Sequence, residues 1–110
     1  MPNTQKQTDV TREVTFSRRA QQRLIDLGEY VATQSSPTIA NGYLDRIKAA
    51  CLALTHFPER GRRRDDILPG LRIIGFERRA TIAYRVFETH VEIVSIAYGG
   101  RDFERELRKP

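Results

Sequence analysis

The chain reads as an α+β domain: an N-terminal strand, an α-helical hairpin, a three-stranded antiparallel meander and a short C-terminal helical turn. Three observations predict it. Two apolar stripes of helical period, each opened by a serine, lie between Ser17 and Phe57. Three short apolar runs split by charged turns follow between Leu71 and Tyr98. At 110 residues the chain has room for one small core.

Residues 1–12 are polar and aperiodic, so a flexible tail is expected ahead of a domain spanning 13–108. Val14 to Phe16 is a short apolar strand. Ser17 then suits an N-cap, its hydroxyl accepting an orphan N–H of the helix behind it. Ala20, Leu24, Leu27 and Val31 recur at helical spacing, with charged and amide residues on the other faces. Gly28 weakens this helix unless it lets a second helix approach closely. Ser36 followed by Pro37 opens that second helix. Its stripe is Ile39, Tyr43, Ile47, Ala50, Cys51 and Leu54, and it ends where Phe57 precedes Pro58. The short link between the helices predicts an antiparallel hairpin.

A loop from Pro58 to Pro69 with an Arg-Asp centre leads to strands at Leu71–Phe76, Thr81–Phe87 and Val91–Tyr98, turned at Glu77–Arg79 and Glu88–His90. In the first hairpin, Leu71/Ile73 and Ile74/Phe76 are both credible inward pairs. In the second, a three-residue turn pairing Phe87 with Val91 sets Ile82 opposite Ile96 and Tyr84 opposite Val94 on the core side. Thr81, Ala83, Arg85, Ser95 and Ala97 then fall on a side small and polar enough to stay open. Asp102 to Leu107 adds the terminal helical turn, with Asp102 as its cap.

The formal net charge of +5 implies attraction to polyanions or to an acidic protein. Lysine occurs only as Lys6, Lys48 and Lys109, so arginine supplies the other 16 of the 19 basic residues. Arginine forks phosphates and carboxylates and stacks on flat rings, whereas lysine is a point charge. GC-rich coding would raise the arginine share regardless of function, but it accounts less well for the cluster Arg60, Arg62, Arg63 and Arg64. The single Cys51 has no partner within the chain, Met1 to Glu13 lacks the apolar stretch of a signal peptide, and no apolar run could span a bilayer. A cytoplasmic location is expected, without membrane contact. No metal-ligand cluster, Ser/His/Asp arrangement, phosphate loop or dinucleotide fingerprint is present, so no cofactor and no metal are expected.

The order and spacing of several motifs resemble the RelE/ParE toxins of bacterial type II toxin–antitoxin systems, closest to the ParE branch. These are Phe16-Ser17-Arg18-Arg19-Ala20, Phe57-Pro58-Glu59-Arg60-Gly61, Pro69-Gly70-Leu71-Arg72, Ile82-Ala83-Tyr84-Arg85-Val86, Val91-Glu92-Ile93-Val94-Ser95-Ile96 and Tyr98-Gly99-Gly100-Arg101-Asp102. The likeness covers roughly 14–107. It implies a toxin neutralised by a cognate ParD-like antitoxin with an acidic C-terminal segment, in a hetero-oligomer. ParE-type members are associated with poisoning DNA gyrase, and RelE-type members with cutting ribosome-bound mRNA.

Many relatives carry a histidine where Tyr98 stands. Metal-free RNA cleavage needs a proton acceptor beside fixed positive charge, and arginine is a poor base. The available bases are His56, His90, Glu92, Tyr98 and Asp102, of which both histidines read as solvated. The resemblance therefore favours a toxin that binds its target, DNA gyrase, through Arg72, Arg85, Tyr98 and Arg101. The antitoxin would dock on Leu24, Leu27, Val31 and Tyr43 of the hairpin and on Arg60 and Arg62. No confident catalytic residue emerges. The alternatives are a RelE-like ribosome-dependent endoribonuclease using Arg85, Tyr98 and Arg101, and an inactive member serving only as antitoxin partner.

Overall fold

In the computed structural model, residues 12–99 and 103–108 are described. The chain runs β1 (Glu13–Phe16), α1 (Arg18–Gln34), α2 (Pro37–Leu52), a 3-10 turn (Ala53–Thr55), β2 (Arg62–Arg63), β3 (Leu71–Phe76), β4 (Ala80–Val86), β5 (His90–Tyr98) and α3 (Phe103–Arg108). The expected meander is the centre of a larger sheet ordered β1-β5-β4-β3-β2. β1 joins its edge in parallel with β5, pairing Val14 with Val91 and Phe16 with Ile93. Two residues of the arginine cluster form the opposite edge, antiparallel to β3.

Both helices begin where the serines place them. The Ser17 hydroxyl accepts from the Ala20 N–H (3.0 Å) and donates to the Val94 carbonyl (2.8 Å), so one side chain caps α1 and fastens it to β5. Ser36 caps α2 through the Ile39 N–H (3.1 Å), with Pro37 in the first turn. A Cβ on Gly28 would lie 2.8 Å from Leu44 Cδ1, so glycine here lets the two helices approach closely. Leu24, Leu27, Val31, Tyr43, Ile47 and Cys51 are buried against the sheet. The α2 stripe holds at Tyr43, Ile47, Cys51 and Leu54 and departs only at its start, where Ala40 faces inward and Ile39 is 56% exposed. Burial pushes the Cys51 thiol up to about 12, so it is an inert apolar group.

The second hairpin departs from the expected register. Ile82 does pair with Ile96 and Ala83 with Ser95, but Tyr84 then pairs with Ile93 and Val86 with Val91. Val94 is the extra residue of a β-bulge, and the Phe87 N–H bonds the His90 carbonyl (2.8 Å), tightening the turn. The bulge shifts the parity of β5 by one. Val91 and Ile93 before it and Ile96 after it all reach the helices, at 0%, 0% and 3% exposure.

The side expected to be open is covered. Ala83 and Ser95 are each 1% exposed, beneath a second apolar cluster of Ile67, Leu71 and Leu107 edged by Leu68, Ile73 and Val94. Both inward pairs of β3 are therefore used: Ile74 and Phe76 pack toward the helices, and Leu71 and Ile73 toward this second cluster. Leu107 carries α3 onto that face. Ion pairs hold it there, from Arg23 to Glu106 (2.9 Å), Arg64 to Glu104 (3.2 Å) and Arg108 to Asp66 (3.1 Å). The expected cap Asp102 lies outside the described residues.

One close contact closes the far end of the sheet. The Gly61 N–H donates to the hydroxyl of fully buried Tyr84 (2.9 Å), and a Cβ at Gly61 would stand 2.6 Å from that oxygen and 2.8 Å from the Ile73 carbonyl oxygen. Gly61→Ala is therefore expected to lower stability by about 1–3 kcal/mol, read as a lower urea midpoint at constant m.

The straps on α3 respond to pH. The Arg64 guanidinium holds the Asp66 carboxyl down to about 2, below its ordinary 3.8. A depressed folded-state pKa gives stability that is present above pH 3.8 and lost as pH falls through about 2. The Tm of the wild-type chain should therefore drop more steeply between pH 4 and pH 2 than that of Asp66→Asn. Parallel melting curves would show the pair to be inert.

Candidate functional site

The arginines fall into two groups. Where a carboxylate follows two residues later, the cation is consumed locally: Arg63 pairs with Asp65 (2.9 Å) and Arg64 with Asp66 (2.8 Å). Both carboxylates are held below their ordinary range by these neighbours. Arg46 forks Glu77 at 2.8 and 3.0 Å. Exposed Arg18, Arg19, Arg60, Arg62, Arg78 and Arg79 make no ion pair among the described residues.

The four target-binding candidates do not form one cluster. Arg72 sits opposite Tyr84 and donates through Nη1 to the Gly61 carbonyl (2.9 Å) and the Glu59 carbonyl (3.1 Å). It braces the loop before β2. Arg85 pairs in register with Leu71 and Glu92 and lays its guanidinium 5.2 Å from the centre of the Phe87 ring. Phe87 in turn stacks on His90 at 4.8 Å. His90 and Glu92 share Arg85's side of the sheet, so the tight β4–β5 turn assembles a cation, two flat rings and a carboxylate. Sequence reading placed His90 as a lone turn histidine. Its adjacency to Arg85 needs the two-residue turn to be known.

Tyr98 lies at the other end of β4, opposite Ala80, and on the helix side. It meets Tyr30 edge-on at 5.6 Å and Tyr43 at 5.9 Å. Arg85 is five residues beyond Ala80, about 17 Å along the strand, and the Arg85 and Tyr98 side chains point to opposite faces. Arg85 and Tyr98 cannot flank one phosphate. Arg101 lies outside the described residues.

Of the antitoxin-facing candidates, Leu27, Val31 and Tyr43 are covered by the chain's own sheet. Leu24 is 9% exposed and lines a groove with Val14, Phe16, Ile25, Lys48 and Leu52. That groove holds about 530 Å³, and Ile25 and Leu52 are each 53% exposed in it. Arg60 and Arg62 are exposed near the β2 edge. No helix among the described residues is long and apolar enough to cross a membrane. No group of three or more His, Cys, Asp or Glu among them could hold a metal ion.

A helical hairpin laid on one face of a short mixed sheet, with arginines at both ends that make no ion pair among the described residues, defines a small α+β module. The family model for the ParE toxin of the type II toxin–antitoxin system, parDE, matches residues 14–103. The chain belongs to the ParE toxin family. Members of this family generally act by binding a target and not by catalysis, and membership in a toxin–antitoxin system implies an antitoxin partner. Among solved structures, the chain is similar to one described as the chromosomal ParDE TA system from P. aeruginosa. The TM-score is 0.71 at 20% identity, covering 80% of this chain and 96% of that one. No curated protein sequence matches the chain.

The geometry separates a bracing arginine from a free one. Arg72→Ala should cost about 1–3 kcal/mol, because two loop carbonyls lose a charged donor. Arg85→Ala should change stability by no more than about 0.5 kcal/mol. Urea unfolding of the two variants checks the contrast, and equal losses would contradict it.

Proposed function

We propose that this chain halts growth by binding DNA gyrase in the cytoplasm, and that a cognate ParD-like antitoxin with an acidic C-terminal segment neutralises it in a hetero-oligomer. The observation that carries the binding reading is the separation of Arg85 from Tyr98. A phosphodiester-cleaving site needs its proton acceptor and its fixed cations within reach of one phosphate. Here Tyr98 is about 17 Å along the strand from Arg85 and on the opposite face, while His90, on Arg85's side, has its ring stacked on Phe87 and its Nδ1 engaged with the Thr89 hydroxyl (3.0 Å). The Arg85–Phe87–His90 stack is instead suited to contact: a cation without an ion pair among the described residues, held over a flat ring at a sheet end. Arg85 is the target contact this reading rests on; Arg101 lies outside the described residues.

For the antitoxin, the outer groove around Leu24, Ile25 and Leu52 supports docking of an amphipathic segment. Lys48 lines it, and exposed Arg18 and Arg19 open α1 beside it. Apolar burial there is unscreened, at roughly 25 cal/mol per Å², while the cations add a salt-sensitive part. Binding should therefore weaken with salt only in part.

Purified toxin should inhibit gyrase supercoiling, and Arg85→Ala should reduce that inhibition while leaving antitoxin binding unchanged. Cleavage of ribosome-bound mRNA with supercoiling untouched would reverse the assignment. In the second arm, Ile25→Glu with Leu52→Glu should weaken antitoxin binding by roughly tenfold or more without lowering Tm, since both side chains are half exposed. Unaltered affinity would move the antitoxin off this groove.

A further inference from the structure

The end of the molecule opposite Arg85 carries a second constellation. One side of α1 (Arg23, Asp26, Leu27 and Tyr30) and the end of β5 (Ile96, Tyr98 and Gly99) enclose a cleft of about 270 Å³. Leu27 and Ile96 are apolar and buried, and the tyrosines form the outer wall. Tyr30 is 51% exposed and meets Tyr98 edge-on, at 60° between ring planes. That contact uses no ring stacking, so Tyr30 still offers a face to solvent.

The β3–β4 turn is joined to the rim of this cleft. The Gly99 N–H donates to the Arg79 carbonyl (2.8 Å), and Ala80 pairs with Tyr98. The Arg79 N–H closes the turn on the Phe76 carbonyl (3.2 Å), and its two central residues are Glu77 at φ 49° and Arg78 at φ 66°. Two consecutive side-chain-bearing residues in the left-handed region are disfavoured, since glycine or asparagine normally fills such a turn. Glu77 is directed onto Arg46, whose guanidinium lies 5.5 Å from the centre of the Tyr43 ring. The acid of the turn is thereby neutralised, and Arg78 and Arg79 project with no ion pair among the described residues. Beneath them the Tyr43 hydroxyl is buried, with no hydrogen-bond partner among the described residues. Its ring lies 5.9 Å from that of Tyr98.

We propose that this end binds a single-stranded nucleic-acid segment, with one base on the Tyr30 face at the cleft and successive phosphates on Arg78 and Arg79. A flat ring exposed beside unpaired arginines is the arrangement that recognises unpaired bases and their backbone. Duplex DNA keeps its bases stacked and cannot fill the cleft. An acidic polypeptide would satisfy the arginines but leave the Tyr30 face unused. The site is independent of the gyrase reading, because its ligand is the strand itself.

The test is fluorescence anisotropy of the full chain with a labelled 12-nucleotide single strand, the same sequence as duplex, and polyglutamate as competitor. The single strand should bind more tightly than the duplex. Tyr30→Ala should weaken it roughly tenfold with the salt slope unchanged, since a stacked base is lost and no phosphate contact is. Arg78→Ala with Arg79→Ala should lower the slope of log K against log salt by about 1.4, two single-strand phosphate contacts. Arg18→Ala with Arg19→Ala, at the start of α1, is the control for bulk charge. Equal losses in that control, insensitivity to Tyr30→Ala, duplex binding as tight as the single strand, or polyglutamate competing as well as unlabelled strand would each overturn the proposal.

Discussion

The bulge at Val94 is the constraint on which the rest of the molecule depends. A strand without it would continue the parity of Val91 and Ile93 through Ser95 and Ala97. The helices would then meet a hydroxyl and a methyl where they now meet Ile96 and Tyr98. One inserted residue lets both halves of β5 present their large apolar side chains to α1 and α2. The same shift places small Ser95 beside Ala83 of β4 on the α3 side, where Leu71, Ile67 and Leu107 close over that face. The Ser17 hydroxyl bonds the carbonyl of Val94 itself, so the residue that starts α1 also holds the irregularity that gives α1 its packing surface.

That geometry also decides what chemistry is possible. Before the bulge, β5 places His90 and Glu92 on the α3 side, beside Arg85. After it, β5 places Tyr98 on the helix side, among Tyr30 and Tyr43. Tyr98 and the group of Arg85, His90 and Glu92 are thus divided between two faces and two ends of the sheet. A catalytic site requires convergence, whereas recognition surfaces need only be presented. The sheet therefore presents two separate surfaces, one at each end.

The helices were legible because their signals are local. A serine cap, a proline at N1 and a period of 3.6 depend on neighbours within one or two turns. The strands were legible as runs but not as registers: Ile93 and Val94 are both apolar and β-branched, so nothing in the sequence marks which one is extra. The covered face was misread for a related reason. Ala83 and Ser95 look like solvent-tolerant residues, but they are small because Leu71 and Leu107 pack closely over them. Leu107 has only Phe103 as an apolar companion in a charged segment, and its partners lie far away in the chain. β2 left no apolar trace, because its two residues are arginines serving as a sheet edge.

Charge shows the same division between local and distant information. The sequence places Asp65 and Asp66 two residues after Arg63 and Arg64, and these pairs form as the spacing allows. Glu77 is followed directly by Arg78 and Arg79, yet its carboxylate goes to Arg46, 31 residues earlier. The left-handed backbone at Glu77 and Arg78 accompanies this exchange. A relaxed turn would be built from glycine and asparagine, with neither a carboxylate for α2 nor a cation for solvent. Retaining two charged residues there, at a conformational cost of about 1 kcal/mol or more each, makes functional sense if the outward cations meet a ligand. The strain at this turn and the unpaired arginines beside the tyrosine cleft are thus one observation about the chain, reached once through its backbone and once through its charge.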